Sequence, residues 1–214
     1  MGADRLRRAG RSLAAVVVLS SALAVAGTGG SAAASGPRVL RVGTYQGVRG
    51  QFSTIQAAVN AARPGDWILI GPGDYHERGV AKPERAGVLI QTAGLHVRGM
   101  DRNHVLIDGT LPGPGGPCSS DPKRQSKGPR VPGADAGWNG LEVFEASGVS
   151  LENLTVCNFL TSPDGEEGNG IWWNGGDGTG QIHLHAFRGA YLTATSTYSN
   201  GFEHPRGEYG IFTS

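Results

Sequence analysis

An excess of charge, a set of cysteines and a long apolar run are all missing from this 214-residue chain, and each absence closes a class of function. Nineteen basic and eighteen acidic residues leave a formal charge of +1, without the concentrated basic face that nucleic acid demands, so no nucleic-acid partner is expected. The chain has only Cys118 and Cys157, too few for a cysteine framework or a thiolate metal centre. In an exported chain the simplest use of two cysteines is one disulfide; here it would staple a Gly/Pro loop to a strand-like run. The one continuous apolar stretch, Leu13–Ala26, falls short of the roughly 20 residues a membrane helix needs, so no stable membrane insertion is expected.

That stretch belongs to a leader. Arg5, Arg7, Arg8 and Arg11 precede it, and Ser31–Ser35 reads SAAAS, the basic start, apolar core and small-residue exit of a secretory signal peptide. Cleavage is expected after Ala34, which gives a 1–34 leader, a secreted, extracellular product and one mature domain over 35–214. The export route stays open, because the Arg7-Arg8 pair suits twin-arginine export and the residues after it do not.

The mature part is glycine-rich, with 36 glycines in the whole chain and no G-X-Y period, so collagen is excluded. One helix is legible in FSTIQAAVNAARPGD. Ser53 and Gln56 make an S-x-x-Q capping box, Phe52 can staple onto Ala57, and Ile55, Ala58, Val59 and Ala62 form one apolar stripe that Pro64-Gly65 ends. Beyond it the chain reads as short strands punctuated by glycine, at Trp67–Ile70, Val88–Gln91, Leu95–Arg98, Val105–Ile107, Leu141–Phe144, Val149–Leu151, Leu154–Cys157, Ile171–Trp173, Ile182–His185, Ala190–Thr193 and Ile211–Thr213. Asn139-Gly140-Leu141, Asn169-Gly170-Ile171 and Tyr209-Gly210-Ile211 repeat one turn-into-strand signature at spacings of 30 and 40 residues. Unequal periods of that size predict coils of a solenoid with loops of different length, with Leu141, Ile171 and Ile211 stacked in one sheet. Asn153 is expected at a tight bend between strands.

The segment FSTIQAAVNAARPGDWILIGPGDYHE resembles the start of pectin-lyase-like right-handed β-helix proteins, through Thr54-Ile55-Gln56, Ala58, Ala62, Pro64-Gly65-Asp66, Pro72-Gly73-Asp74-Tyr75 and Glu77. The resemblance implies an all-β, right-handed parallel β-helix with an N-terminal capping α-helix lying across the first coil. It leaves the reaction open, since the superfamily includes lyases, hydrolases, epimerases and non-catalytic adhesins. Because the sequence stops one strand into a coil, a longer, monomeric solenoid is the expectation for the full-length protein.

If the repeated strands stack, the residues before them line one edge of the solenoid, with coils about 4.8 Å apart. Asp135, then Asp164, Glu166 and Glu167, then Glu203, His204, Arg206 and Glu208 would form an acidic column beside Trp138, Trp172 and Trp173. Glu166, Glu167, His204 and Arg206 are the candidate catalytic residues: paired carboxylates for glycoside hydrolysis, or a histidine or arginine base for β-elimination. Asp164 and Glu203 are the candidate ligands for Ca²⁺, which takes oxygen donors and could neutralise a uronate. Trp138 and Trp173 offer flat faces to sugar rings. Trp172-Trp173 puts one ring inward and one outward, and solvated turn acids are the plainer account of each loop carboxylate. His183 and His185 share a strand face, more simply a polar outer face than a metal pair. The paired-Asp strand and R-x-P-x-x-R of pectate lyases and polygalacturonases are absent from the 214 residues. Two functions result: a secreted protein acting on or binding polysaccharide, by lyase or hydrolase chemistry on uronic-acid polymers, or a non-catalytic β-helix that binds cell-wall or surface glycans. The 31 residues Asp108–Trp138 form a Gly/Pro loop long enough to wall a groove.

Overall fold

Short apolar strands with alternate residues turned inward stack when each turn of chain covers the last. A computed structural model shows them doing so over residues 36–77, 79, 83–126, 128, 130–131, 134–161, 167–195 and 210–214, the residues described here. The chain visits three parallel sheets in fixed rotation. The first wall holds Val39–Val42, Trp67–Ile70, His96–Gly99, Ser150–Glu152 and Arg188–Ala190. The second wall holds Gly73–Tyr75, Val105–Asp108, Thr155–Cys157 and Thr193–Thr195, and the third holds Ala86–Ile90, Asn139–Phe144, Ile171–Asn174 and Ile211–Thr213. Every pairing between these strands is parallel, and the rest of each coil serves as the crossover such pairing needs. The result is a right-handed parallel β-helix, the hand that parallel crossovers favour.

Register follows from burial. On the third wall Val88, Leu141, Ile171 and Ile211 stack in one row, which bears out the alignment expected of the repeat. The row before them is Gly87, Gly140, Gly170 and Gly210, so the signature has a fourth copy, Ala86-Gly87-Val88, that the sequence pattern disguised. A Cβ on Gly140 would lie 2.2 Å from Val156 Cγ1 and 2.5 Å from the Gly170 carbonyl oxygen, so the wall can turn there only without side chains. Inward residues of all three walls, among them Ile68, Val97, Leu151, Ile107, Val156, Leu141 and Val143, form one continuous core. The first wall's outer face carries a stacked Trp67–His96 pair at 4.5 Å and Glu152 between Arg98 and Arg188. It is a solvated surface.

Helix α1, Ile55–Ala61, packs on the first and third walls near the first coil, with Ile55, Ala58 and Val59 buried. Its start differs from the expected capping box. Thr54, not Ser53, is the N-cap and accepts from the Ala57 amide, while Glu77 reaches over to accept the Ile55 N–H at 2.5 Å. Gln56 is thereby released to pair with both backbone groups of Leu89, pinning the helix to the third wall. Asn153 occupies the left-handed bend between the first and second walls, φ 58°, and donates to the Gly99 carbonyl at 2.8 Å. Ile182–His185 is not a strand. Ala190–Thr193 divides into two, with a corner at Tyr191 and Leu192, while Val39–Val42 and Gly73–Tyr75 are strands the pattern missed. The expected leader lies outside the described residues. No helix among them is long and apolar enough to cross a membrane.

Candidate active site

Alternation along Asn139–Phe144 turns Leu141 and Val143 into the core and Glu142 to the outside of the third wall, yet Glu142 has no exposed surface. Two asparagines clamp it. Asn139 Nδ2 donates to Glu142 Oε2 at 2.8 Å, and Asn174 Nδ2 donates to Oε1 at 2.8 Å. Both amides have a fixed orientation. Asn139 Oδ1 accepts the Asn169 backbone N–H at 2.9 Å and its side-chain Nδ2 at 3.0 Å, and Asn174 Oδ1 accepts the Gly176 N–H at 2.8 Å. The Asn-Gly repeat is therefore more than a turn signal: Asn169 orients Asn139, whose side-chain nitrogen faces a carboxyl group.

Two further acids complete the cluster. One carboxylate oxygen each of Glu84, Glu142 and Glu167 lies within 4.8 Å of the others. Asn139 Nδ2 also donates to Glu167, and Arg85 Nη2 stands 3.4 Å from Glu167 Oε1. Burial pushes the Glu142 carboxyl up to about 8, and the charges on Glu84 and Glu167 push the same way, against the two asparagine hydrogen bonds. Burial likewise raises Glu84, assisted by Asp177 and Glu145. Glu142 thus holds its proton at neutral pH, with neighbouring carboxylates in reach, while Glu167 has a guanidinium beside it. A buried carboxyl that keeps its proton beside other carboxyl groups is a general feature of acid–base sites.

The trio does not fit Ca²⁺. A hard cation takes six to eight oxygens, and both oxygens of Glu142 already face amide hydrogens, which present positive charge where the ion would sit.

Of the residues singled out by sequence, Glu167 is placed in this cluster. Glu166, His204, Arg206, Asp164 and Glu203 lie outside the described residues. Asp135 falls in a two-residue antiparallel ladder, Asp135 opposite Arg130, rather than at a stacked wall edge. Trp173 is the inward ring of its pair. It is 2% exposed, tilted against Phe187 at 5.7 Å, and housed where Gly189 leaves room, since a Cβ there would come within 2.8 Å of the indole. A core ring has no free face for a sugar; Trp172, the outward ring, follows Glu142 in register. Trp138 is half-buried, packs edge-on against Phe159 at 4.7 Å, and lines a separate groove. His183 and His185 lie in a connection rather than a strand, and His185 shares a hydrogen bond with Ser147. The disulfide expected between Cys118 and Cys157 is present, with Cα atoms 5.6 Å apart. Glu142 and Glu84 were missed by sequence reasoning. The only signal was an acid at the centre of an otherwise apolar strand, LEVF.

No family model matches the chain, and no curated protein matches it. Solved structures do. A pectin methylesterase mutant in complex with a hexasaccharide shares 17% identity at a TM-score of 0.40, over 73% of this chain and 42% of that one. Pectin methylesterase PemA from Erwinia chrysanthemi shares 16% at 0.41, over 81% of this chain and 45% of its own. A pectin methylesterase in complex with another hexasaccharide shares 15% at 0.42, over 81% and 45%. The chain spans less than half the length of each, and likenesses at this identity concern the fold and assign no residue a role. By its own strand ladders the chain is a right-handed parallel β-helix, the fold its resemblance to pectin-lyase-like proteins implied.

Proposed function

We propose that this is an exported, polysaccharide-acting protein whose acid–base site is the carboxyl trio on the outside of the third wall, with Glu142 as proton donor and Glu167 as its ionised partner. One observation carries the reading: an outward strand position holds a fully buried carboxyl, clamped by two oriented amides beside two further acids. A structural position of that kind would favour an apolar residue or a paired ion, whereas acid–base catalysis needs a carboxyl that keeps its proton at neutral pH. Glu142 would protonate the leaving oxygen of a glycosidic bond. Glu167 would act as base or nucleophile, and Trp172 beside it would supply a ring face. β-Elimination on a uronate uses the same two groups, one to remove the C5 proton and one to protonate the leaving oxygen. Export suits the disulfide, which persists in oxidising compartments.

The complete burial of Glu142 favours a second reading, in which the trio braces adjacent coils of a non-catalytic glycan-binding solenoid. An assay separates the two. The mature protein is incubated with polygalacturonate, alginate and a neutral glycan, with and without Ca²⁺, and followed by reducing ends and by unsaturated-product absorbance. Turnover that falls at least about 100-fold in both Glu142→Gln and Glu167→Gln, with an alkaline limb near pH 8, supports catalysis. Absence of product, or equal product from both variants, overturns it.

A further inference from the structure

The first part of the long connection after Asp108, residues 109–126, is a built structure. Thr110 and Gln125 pair as an antiparallel bridge, and the Leu111 N–H donates to the Arg124 carbonyl at 2.5 Å. The Arg124 guanidinium donates to the carbonyls of Leu111 and Pro114. Asn158, itself buried, donates to Thr110 Oγ1 and to the Ser119 carbonyl at 2.8 and 2.9 Å. The Cys118–Cys157 disulfide then fastens the loop to the second wall.

Between this loop and the ends of the second-wall strands lies a groove of about 500 Å³. Trp138, Leu111 and Pro112 give it an apolar side, and the buried Trp138 Nε1 has no hydrogen-bond partner among the described residues. Asp74, His76 and Asp108 give it a polar side, with Asp74 Oδ2 3.0 Å from His76 Nε2 and one atom of each residue within 4.8 Å of the others. Asp108 is spoken for: its two oxygens accept the N–H groups of Thr110 and Cys118, each at 2.7 Å. That occupancy suits a cation poorly and leaves the exposed Asp74 as the acceptor open to a ligand. The third acid on the groove, Glu77, is engaged by helix α1, and the one guanidinium, Arg124, is turned into loop carbonyls. A free uronate would therefore meet like charge.

We propose that this groove is a binding site for a neutral, hydroxyl-rich saccharide, with Trp138 as its ring platform and Asp74 and His76 as its hydroxyl partners. Apolar sugar faces stack on indole, and their hydroxyls donate to carboxylates in charge-assisted bonds. A preformed concave site with an apolar side and a few convergent polar groups is the general form of a small-ligand pocket. The site stands apart from the carboxyl trio and needs no catalysis there: it would tether the protein to a glycan.

Calorimetric titration of the mature, oxidised protein with cellohexaose, mannohexaose, xylohexaose and hexagalacturonate tests this. At least one neutral hexasaccharide should bind, and hexagalacturonate, which the carboxyl trio would take, should bind equally well in wild type and Asp74→Asn. Affinity for the neutral hexasaccharide should fall at least 10-fold in Trp138→Ala and in Asp74→Asn. Asp74 is an exposed side chain, so Asp74→Asn tests the site even if Trp138→Ala fails to fold. No binding by any neutral hexasaccharide, or undiminished binding of it in Asp74→Asn, would each overturn the proposal. None of these outcomes depends on turnover at the carboxyl trio.

Discussion

Asp66 beside the capping helix and Glu142 on the third wall are both buried carboxyls, 3% and 0% exposed, and they titrate on opposite sides of neutrality. Asp66 accepts the Arg38 backbone N–H at 2.8 Å, Arg38 Nε at 3.0 Å and Nη2 at 2.5 Å, and the Arg63 N–H at 2.8 Å. The Arg38 side chain, outweighing burial, holds its carboxyl down to about 2. Glu142 receives neutral amides alone and stands beside two more acids, so burial wins and carries it to about 8. Burial by itself decides little. A cation in the shell makes a carboxylate a structural tie, and its absence makes a carboxyl a store for a proton.

Breaking the tie should have the largest effect. Asp66→Asn leaves Arg38 facing a neutral group and unpins the first strand from the helix, at a cost of about 2–3 kcal/mol at pH 7, discounted because Arg38 is half-exposed. The thermal midpoint should fall by roughly 5–10 °C. The carboxylate is favoured in the folded state, so its contribution is full above the ordinary 3.8 and vanishes as pH falls toward about 2. Melting curves of wild type and variant should accordingly converge in acid. A constant gap would show that Asp66 acts through shape alone.

Glu142→Gln should act at the other end of the scale. Folded Glu142 keeps its proton up to about pH 8, whereas the unfolded chain releases it near 4.5, so this residue makes stability fall as pH rises across that window. The variant removes the slope. At pH 9 it should exceed wild type by on the order of 2 kcal/mol, and it should lose that advantage by pH 5, as read from paired thermal melts. Parallel curves from pH 5 to 9 would erase the contrast with Asp66.

The smallest effect sharpens the contrast within the site. Asn139→Ala withdraws one of the two hydrogen bonds that favour ionised Glu142, so the midpoint should rise further, by roughly one unit. Carbon-detected titration of the glutamate carboxyls would show it. A fall would mean that the lost neighbour let water in, and that desolvation rather than the amide clamp sets the value.

The capping helix, the stacking of Leu141 with Ile171 and Ile211, the bend at Asn153 and the disulfide were legible in the sequence, because each rests on local spacing or on a pattern with one physical solution. The site was legible only at Glu167. Glu142 was hidden because strand alternation reports which way a side chain points and cannot report that neighbouring connections will cover it. The asparagines were read for their backbone conformation, while their side chains do the work of orienting the acid. The shift of the helix cap from Ser53 to Thr54 has a similar source. Glu77, 22 residues from Ile55, supplies the amide acceptor that the local motif was expected to provide.

The corners of the coil differ in a way that bears on how such a protein can change. Between the first and second walls the chain spends two, five, two and two residues in successive coils. Between the second and third it spends ten, thirty, thirteen and fifteen. One edge is smooth and stays at two residues in three coils of four, and the other is rough and accepts length without disturbing the stack. A segment grafted at the rough edge would be carried on a scaffold indifferent to its size, and descendants of such a chain could exchange what they recognise there while the smooth edge stayed the same.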